Sequence, residues 1–208
     1  MTGARNGIVR DLAALGALYG TPGEQACAKE IDYVHPHYRK FIEHAPFVVL
    51  ATCGDTQLDA SPRGDAAGFV RIEDEKTLLI PDRRGNNRID TLRNIVADPR
   101  IALLFLIPGV SETLRVRGRA QICADAELLA RFEVQGQRPR SVLIVQVDSV
   151  FFQCARAAMR SGLWDARTQI DRSQLPSIGT ILADLSQSRL GGERFDRMLQ
   201  ARLNSTLY

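Results

Sequence analysis

Between residues 80 and 91 the chain reads IPDRRGNNRIDT, which places Arg83, Arg84 and Arg88 around Gly85, Asn86 and Asn87. The planar guanidinium fork of arginine suits bidentate contacts to phosphate or carboxylate. The stretch falls between a strand-like run at 78–81 and a helical pattern at about 88–97. Backbone N–H groups at a helix start lack partners inside the helix, and the helix dipole adds to their attraction for an anion. Gly85 permits a tight turn, and Asn86 and Asn87 offer amide hydrogens or a helix cap. Arg88 is expected in the first helical turn, where a cation is unfavourable unless an anion lies near. Two readings stay open on these residues: a phosphate-type anion site, or a solvated basic turn with Asn87 as N-cap. A second basic spot, Ser61-Pro62-Arg63-Gly64-Asp65, follows another strand-like run. Up-and-down pairing would bring Arg63 close to the basic loop, where serine, arginine and backbone suit a phosphomonoester. The alternative for Arg63 is an ion pair with Asp59 or Asp65.

No nucleophile–base constellation accompanies these residues, so no catalytic side chain is nominated. His35, His37 and His44 have an HxH spacing without an acidic partner set, which reads as a helix face rather than a metal site. Cys27, Cys53, Cys123 and Cys154 show no CxxC or metal-ligand spacing. Cys53 and Cys123 lie in apolar runs and are expected to be buried and inert. No GxSxG, GxGxxG or GxxxxGK[ST] pattern is present. Redox or group-transfer chemistry on such a chain would belong to a bound cofactor, which the protein orients.

The elements that must position these residues follow from hydrophobic spacing. Ile8, Leu12, Leu15 and Leu18 predict an amphipathic helix over 8–18, and Pro36 suits the first turn of a helix at 36–44. From Phe47 the pattern becomes strand-like. FVVLATC is followed by a GDTQ turn, LDAS, a PRGDAAG loop, FVRIED and KTLLIP. After the basic loop, Ile89, Leu92, Ile95 and Val96 mark one face of a helix that Pro99 ends. RIALLFLIPG and ETLRVRGRAQI are strands, the second alternating Leu114 and Val116 with Arg115 and Arg117. A helix at about 125–135 precedes the long run SVLIVQVDSVFFQC, and ILADL and RFDRMLQARL predict two closing helices. Six or seven strands joined by short turns predict an antiparallel barrel rather than a βαβ sheet. The expected division is a helical segment at 1–45, a barrel at 46–165 and a helical segment at 166–208.

The 208 residues are 45% hydrophobic and 25% charged, an ordinary globular balance. A net charge of +3 and an aromatic content of 6% argue against a nucleic-acid role. No apolar run reaches the length of a membrane span, and the N-terminus lacks a signal pattern, so a cytoplasmic location is expected.

The ordered set PFVVLATCGDTQLDASPRGD, TLLIPDRRGNNRIDTLRNIVADPRIALLFLIPG and ETLRVRGRAQI resembles the pyridoxamine 5′-phosphate oxidase-like family of FMN-binding split barrels, in its branch of FMN-dependent enzymes. VFFQCARAAMRSGLW fits the same pattern, so the resemblance spans about 31–165. It implies a mainly β chain with flanking helices (α+β), built on a six-stranded antiparallel Greek-key split barrel. It also implies a homodimer with two FMN molecules at the subunit interface. Mapped by motif, Ala60, Ser61, Pro62 and Arg63 would run along the flavin toward its phosphate, and Pro81 and Asp82 would lie beside the ring. Asn86, Asn87 and Arg88 would hold the phosphate. Thr113, Arg160 and Trp164 would face the flavin ring, Thr113 from the partner subunit, while plain packing is the other reading of Trp164. The family's histidine-bearing substrate segment is replaced here by RSGLWDAR, which removes the basis for oxidation of pyridoxamine phosphate. The implied activity is an FMN-dependent oxidoreductase acting on a small-molecule substrate or a reduced nicotinamide. The alternative is a deazaflavin- or haem-binding barrel with a reductase or sensing role. The runs at 101–107 and 141–153, apolar on both faces, suit either the dimer surface or a buried barrel interior.

Overall fold

The computed structural model describes residues 7–54, 57–206 and 208, leaving aside the side chain of Asn204. Asp55 and Thr56 of the expected GDTQ turn, and positions 1–6, lie outside the described residues. Three helices come first: α1 (Leu12–Tyr19), α2 (Glu24–Ala28) and α3 (Pro36–His44). The strands β1 (Phe47–Cys53), β2 (Leu58–Gly64), β3 (Arg71–Asp74) and β4 (Thr77–Asp82) follow. Helix α4 (Asp90–Ala97) leads to β5 (Arg100–Leu106) and β6 (Thr113–Cys123), and α5 (Ala126–Ala130) to β7 (Ser141–Gln153). Helices α6 (Arg156–Ser161), α7 (Ile178–Leu185) and α8 (Gly192–Ser205) complete the chain.

All seven strands join one antiparallel sheet in the order β2-β1-β5-β6-β7-β4-β3. The count corrects the six implied by the family resemblance, because the four-residue β3 pairs with β4 as a separate edge strand. Pro62, Arg63 and Gly64, expected in a loop, continue β2 opposite Val49, Val48 and Phe47. Alternation builds the core: Val48 and Leu50, Leu103 and Phe105, Leu114 and Val116, and Val145 and Val147 are buried, with Val150 rejoining them after a one-residue shift. Ile42 of α3 is packed into the same cluster. A smaller cluster of Leu79, Phe132 and Val142 lies under α5.

The β6–β7 ladder slips by one residue between the pairs Arg117–Ser149 and Gly118–Val147. Gly118 is required there, since a Cβ would stand 2.2 Å from the Gln146 carbonyl oxygen. The expected apolar character of β7 on both faces ends at Val145, because Gln146 and Asp148 point to solvent. On β5, by contrast, Ala102, Leu104 and Leu106 form a half-buried outer row.

No backbone ladder joins the two ends of the sheet among the described residues. Side chains cross the gap instead. Arg63 on β2 lies 3.6 Å from Asp82 at the end of β4, and Asp65 lies 2.7 Å from Arg83. Helix α4 is fastened to the β2–β1 end of the sheet: Thr91 donates to Asp59 at 2.8 Å, and the buried Asn94 donates to Thr52 at 3.0 Å.

Two helices differ from expectation. The predicted amphipathic helix at 8–18 is α1, which buries no residue and is apolar around its whole circumference. The helix expected at 125–135 is confined to α5, with Asp125 capping the N–H groups of Glu127 and Leu128. No helix among the described residues is long and apolar enough to cross a membrane.

Candidate functional site

β2 carries its polar side chains on one face because successive residues alternate. Asp59, Ser61, Arg63 and, just past the strand, Asp65 are partly buried along the seam, while Leu58, Ala60, Pro62 and Gly64 face outward. The expected run Ala60–Arg63 is therefore split between two faces. Ser61 donates to Asp59 at 2.9 Å. The Thr91 hydroxyl, with Ser61 and the Ala60 N–H, holds the Asp59 carboxyl below its usual value against the effect of burial. Burial pushes Asp82 up, a trend that Arg63 and Arg140 oppose without cancelling. Burial also works on Asp65, but hydrogen bonds from Tyr208, the Ala66 N–H and Arg83 outweigh it and keep that carboxyl low. Pro81 is buried beside these groups.

The basic loop departs from the expected cap. Ile89, not Asn87, is the N-cap of α4, and no side chain bonds the first N–H groups of that helix. Arg88 precedes the helix rather than lying in its first turn, and it pairs with Asp90 at 2.7 Å. The acidic residue in the first turn satisfies the dipole, so the misfit expected of Arg88 does not arise. Asn86 accepts from the Arg88 N–H at 3.1 Å. Asn87 and Ile89 both adopt left-handed backbone, with φ of 61° and 54°. Asparagine tolerates that region, whereas a β-branched residue is strained there.

Sequence reasoning missed Arg140. It sits just before β7, donates to the Asn87 side chain at 3.0 Å, and acts electrostatically on Asp82. Its signal was the RPR tripeptide ahead of SVLIV, which carries no meaning until β7 pairs with β4. Arg63, Asp82, Arg140 and Asn87 thus form one connected polar group, with Arg88 beside it. Arg84 is exposed and has no hydrogen bond or ion pair among the described residues. The donor set of arginine forks, asparagine amides and an uncapped helix start fits a phosphate dianion.

Thr113, Arg160 and Trp164 are not brought to this group within one chain. Thr113 pairs with Gln153 at the opposite end of β7 from Ser141, the residue facing Asp82. Along the register row Arg63–Val48–Phe105–Leu114, three strand spacings separate β2 from β6, roughly 14 Å across the sheet. Trp164 is half-buried and donates to the Val110 carbonyl at 2.8 Å, and Arg160 is exposed on α6.

The histidines lie elsewhere. His35 caps α3 by accepting from the His37 N–H, and His44 Nδ1 stands 2.8 Å from the Lys40 carbonyl. His35 and His37 line an open groove of about 510 Å³ with Tyr33, Tyr38 and Phe152. No three metal-ligating side chains cluster among the described residues.

Comparison with curated proteins gives no match. Among solved structures, HupZ of Group A Streptococcus is 19% identical over 57% of this chain and 92% of its own, with a TM-score of 0.47. General Stress Protein 26 of Bacillus anthracis is 17% identical over 55% and 88%, with a TM-score of 0.42. An FAD-binding protein of Mesorhizobium loti is 15% identical over 56% and 89%, with a TM-score of 0.41. A family model described as pyridoxamine 5′-phosphate oxidase matches residues 34–154, more than half of the chain and the whole of the seam with its basic loop. On that match, the chain belongs to the pyridoxamine 5′-phosphate oxidase family.

Proposed function

We propose that this protein is an FMN-dependent oxidoreductase whose flavin phosphate sits at the seam between β2 and β4. The observation that carries the reading is the connected group Arg63–Asp82–Arg140–Asn87, which unites segments far apart in sequence at one anion-compatible spot. Arg63, Arg88 and Arg140 would supply charge, and Asn86, Asn87 and Ser61 hydrogen bonds. Pro81 and Asp82 would flank the ring, with the outward residues Ala60 and Pro62 of the edge strand alongside it. Bound FMN supplies hydride and single-electron transfer; the side chains hold it, orient it and fix the charge around it.

The outer face of β2-β1-β5 supports a homodimer. Its facing rows are Leu58 with Cys53, Ala60 with Ala51 and Ala102, Pro62 with Val49 and Leu104, and Gly64 with Phe47 and Leu106. Leu58 is 83% exposed and Phe47 40%. A second copy seated there would cover an apolar surface that this chain leaves open. It would also be the source of Thr113, Arg160 and Trp164 at the flavin, which one protomer does not bring to the seam.

The first test is the visible spectrum of the purified protein, followed by release and identification of its chromophore. A yellow protein yielding FMN supports the reading, and a protein that neither carries nor takes up FMN refutes it. Competition between FMN and a deazaflavin at equal concentration separates the two flavin-like occupants of the same anion site. Gel filtration that returns a monomer with FMN bound would remove the two-subunit site.

A further inference from the structure

Helices α7 and α8 pack chiefly on each other, and neither makes a comparable interface with any strand. Their crossing is close: a Cβ on Gly179 would stand 2.4 Å from Asp196 Oδ2, and one on Gly191 would stand 2.3 Å from the Gly179 carbonyl oxygen. Asp196 accepts from the Gly179 N–H at 2.7 Å and the Ser177 hydroxyl at 2.5 Å, so the pair forms a rigid hairpin. Beyond α8, Tyr208 lies against the sheet. Its hydroxyl donates to Asp65 Oδ1 at 2.8 Å, and the Arg83 guanidinium lies 5.5 Å from its ring centroid. The Asp65 side chain is only 4% exposed and also accepts from Arg83 Nε at 2.7 Å. Arg83 donates in turn to the Phe132 carbonyl at 2.7 Å.

Asp65 is two residues from Arg63, and Arg83 adjoins Asp82, so this clamp abuts the candidate phosphate group. The hairpin itself leaves Leu185 82% exposed and Met198 60% exposed, which makes the polar clamp, not apolar burial, its main attachment on this side. A hydroxyl bonded to a buried carboxylate is a charge-assisted contact, strong enough to hold and weak enough to release.

We propose that α7–α8 is a strap ending at the rim of the flavin site, latched by Tyr208 on Asp65, and that its release sets the rate of flavin entry and exit. The inference rests on the flavin reading above. Its experiment compares wild type with Tyr208→Phe, which keeps the ring and deletes only the hydroxyl. In the flavin-free protein, tryptic cleavage after Arg202 is expected to accelerate about ten-fold, because Tyr208, just beyond α8, loses its hydrogen bond to a charged partner. In stopped-flow mixing with FMN, association and dissociation are both expected to speed up by a similar factor, leaving Kd unchanged. A raised Kd with an unchanged association rate would make Tyr208 a binding contact and overturn the gate. Unchanged cleavage would overturn the latch. If wild-type protein takes up no FMN, flavin gating falls with the flavin reading, while the cleavage comparison still decides whether Tyr208 holds the strap.

Discussion

Replacing Arg63 with alanine separates a cofactor role from a structural one. Arg63 Nη2 lies 3.6 Å from Asp82 Oδ1, and the two side chains are 20% and 19% exposed. At an effective dielectric of 20, two unit charges at that distance attract by roughly 4–5 kcal/mol. Desolvation and partial solvent access offset most of this, leaving a net contribution of about 1 kcal/mol. Arg140 still acts on Asp82 in the variant, which limits the loss further. For a chain of this size that predicts a fall in melting temperature of about 2–4 °C without flavin. The flavin phosphate, by contrast, would lose a charged hydrogen-bonding partner, about 1.5–3 kcal/mol. That is roughly a 10- to 150-fold rise in Kd. Flavin fluorescence titration reads the affinity, and a thermal melt of the flavin-free protein reads the stability. Arg63→Lys keeps the charge without the fork and should fall between wild type and alanine. If Arg63→Ala lowers the melting temperature but leaves Kd within about two-fold, then Arg63 serves only as the partner of Asp82 and the phosphate assignment is wrong.

Arg88→Ala should also weaken FMN binding by about 1.5–3 kcal/mol, and Asp90→Asn, which frees Arg88 from its pair, should tighten it; the same titration reads both. The folded pKa of Asp82 is raised by burial, so between the usual carboxylate value and that raised value the native state holds more protons than the unfolded chain. Stability therefore falls as pH rises through that window, and Asp82→Asn should abolish this part of the pH dependence in urea melts. Gly118→Ala forces a Cβ to within 2.2 Å of a backbone oxygen. It should cost about 2–3 kcal/mol of stability, seen as a lower urea midpoint, and a wild-type midpoint would show that the β6–β7 slip relaxes easily.

The strands were legible because their patterns are local. Leu114 and Val116 against Arg115 and Arg117 announce a half-exposed strand, and Pro36 marks the start of α3. The residue pattern left the count at six or seven, and the family resemblance narrowed it to six, one short of the seven observed. The seam was only half legible. Arg63 and Asp82 sit on strands that are not neighbours in the ladder, so their meeting depends on how far the sheet curls, which no short-range signal encodes. Arg140 reaches Asn87 only through the β4–β7 pairing, which joins neighbouring strands that lie far apart in sequence. The Asn87 cap failed because two successive departures into left-handed backbone delay the helix until Asp90. The amphipathic reading of α1 failed for a different reason: alanines fill the positions between its leucines, so no polar face exists to set against an apolar one.

Pro62 has a consequence for how the protein behaves at high concentration. β2 is a free edge of the sheet, and free edges invite strand addition and fibrillar growth. Pro62 pairs with Val49 inside an unbroken ladder, so the N–H it lacks is missing from the open side. The other edge, β3, is four residues long and carries Arg71, Glu73 and Asp74. Both rims are thus poor templates, although an apolar surface lies immediately beside one of them. In the homodimer proposed above, association would run face to face, toward a closed pair of limited size and away from open-ended stacking of edges.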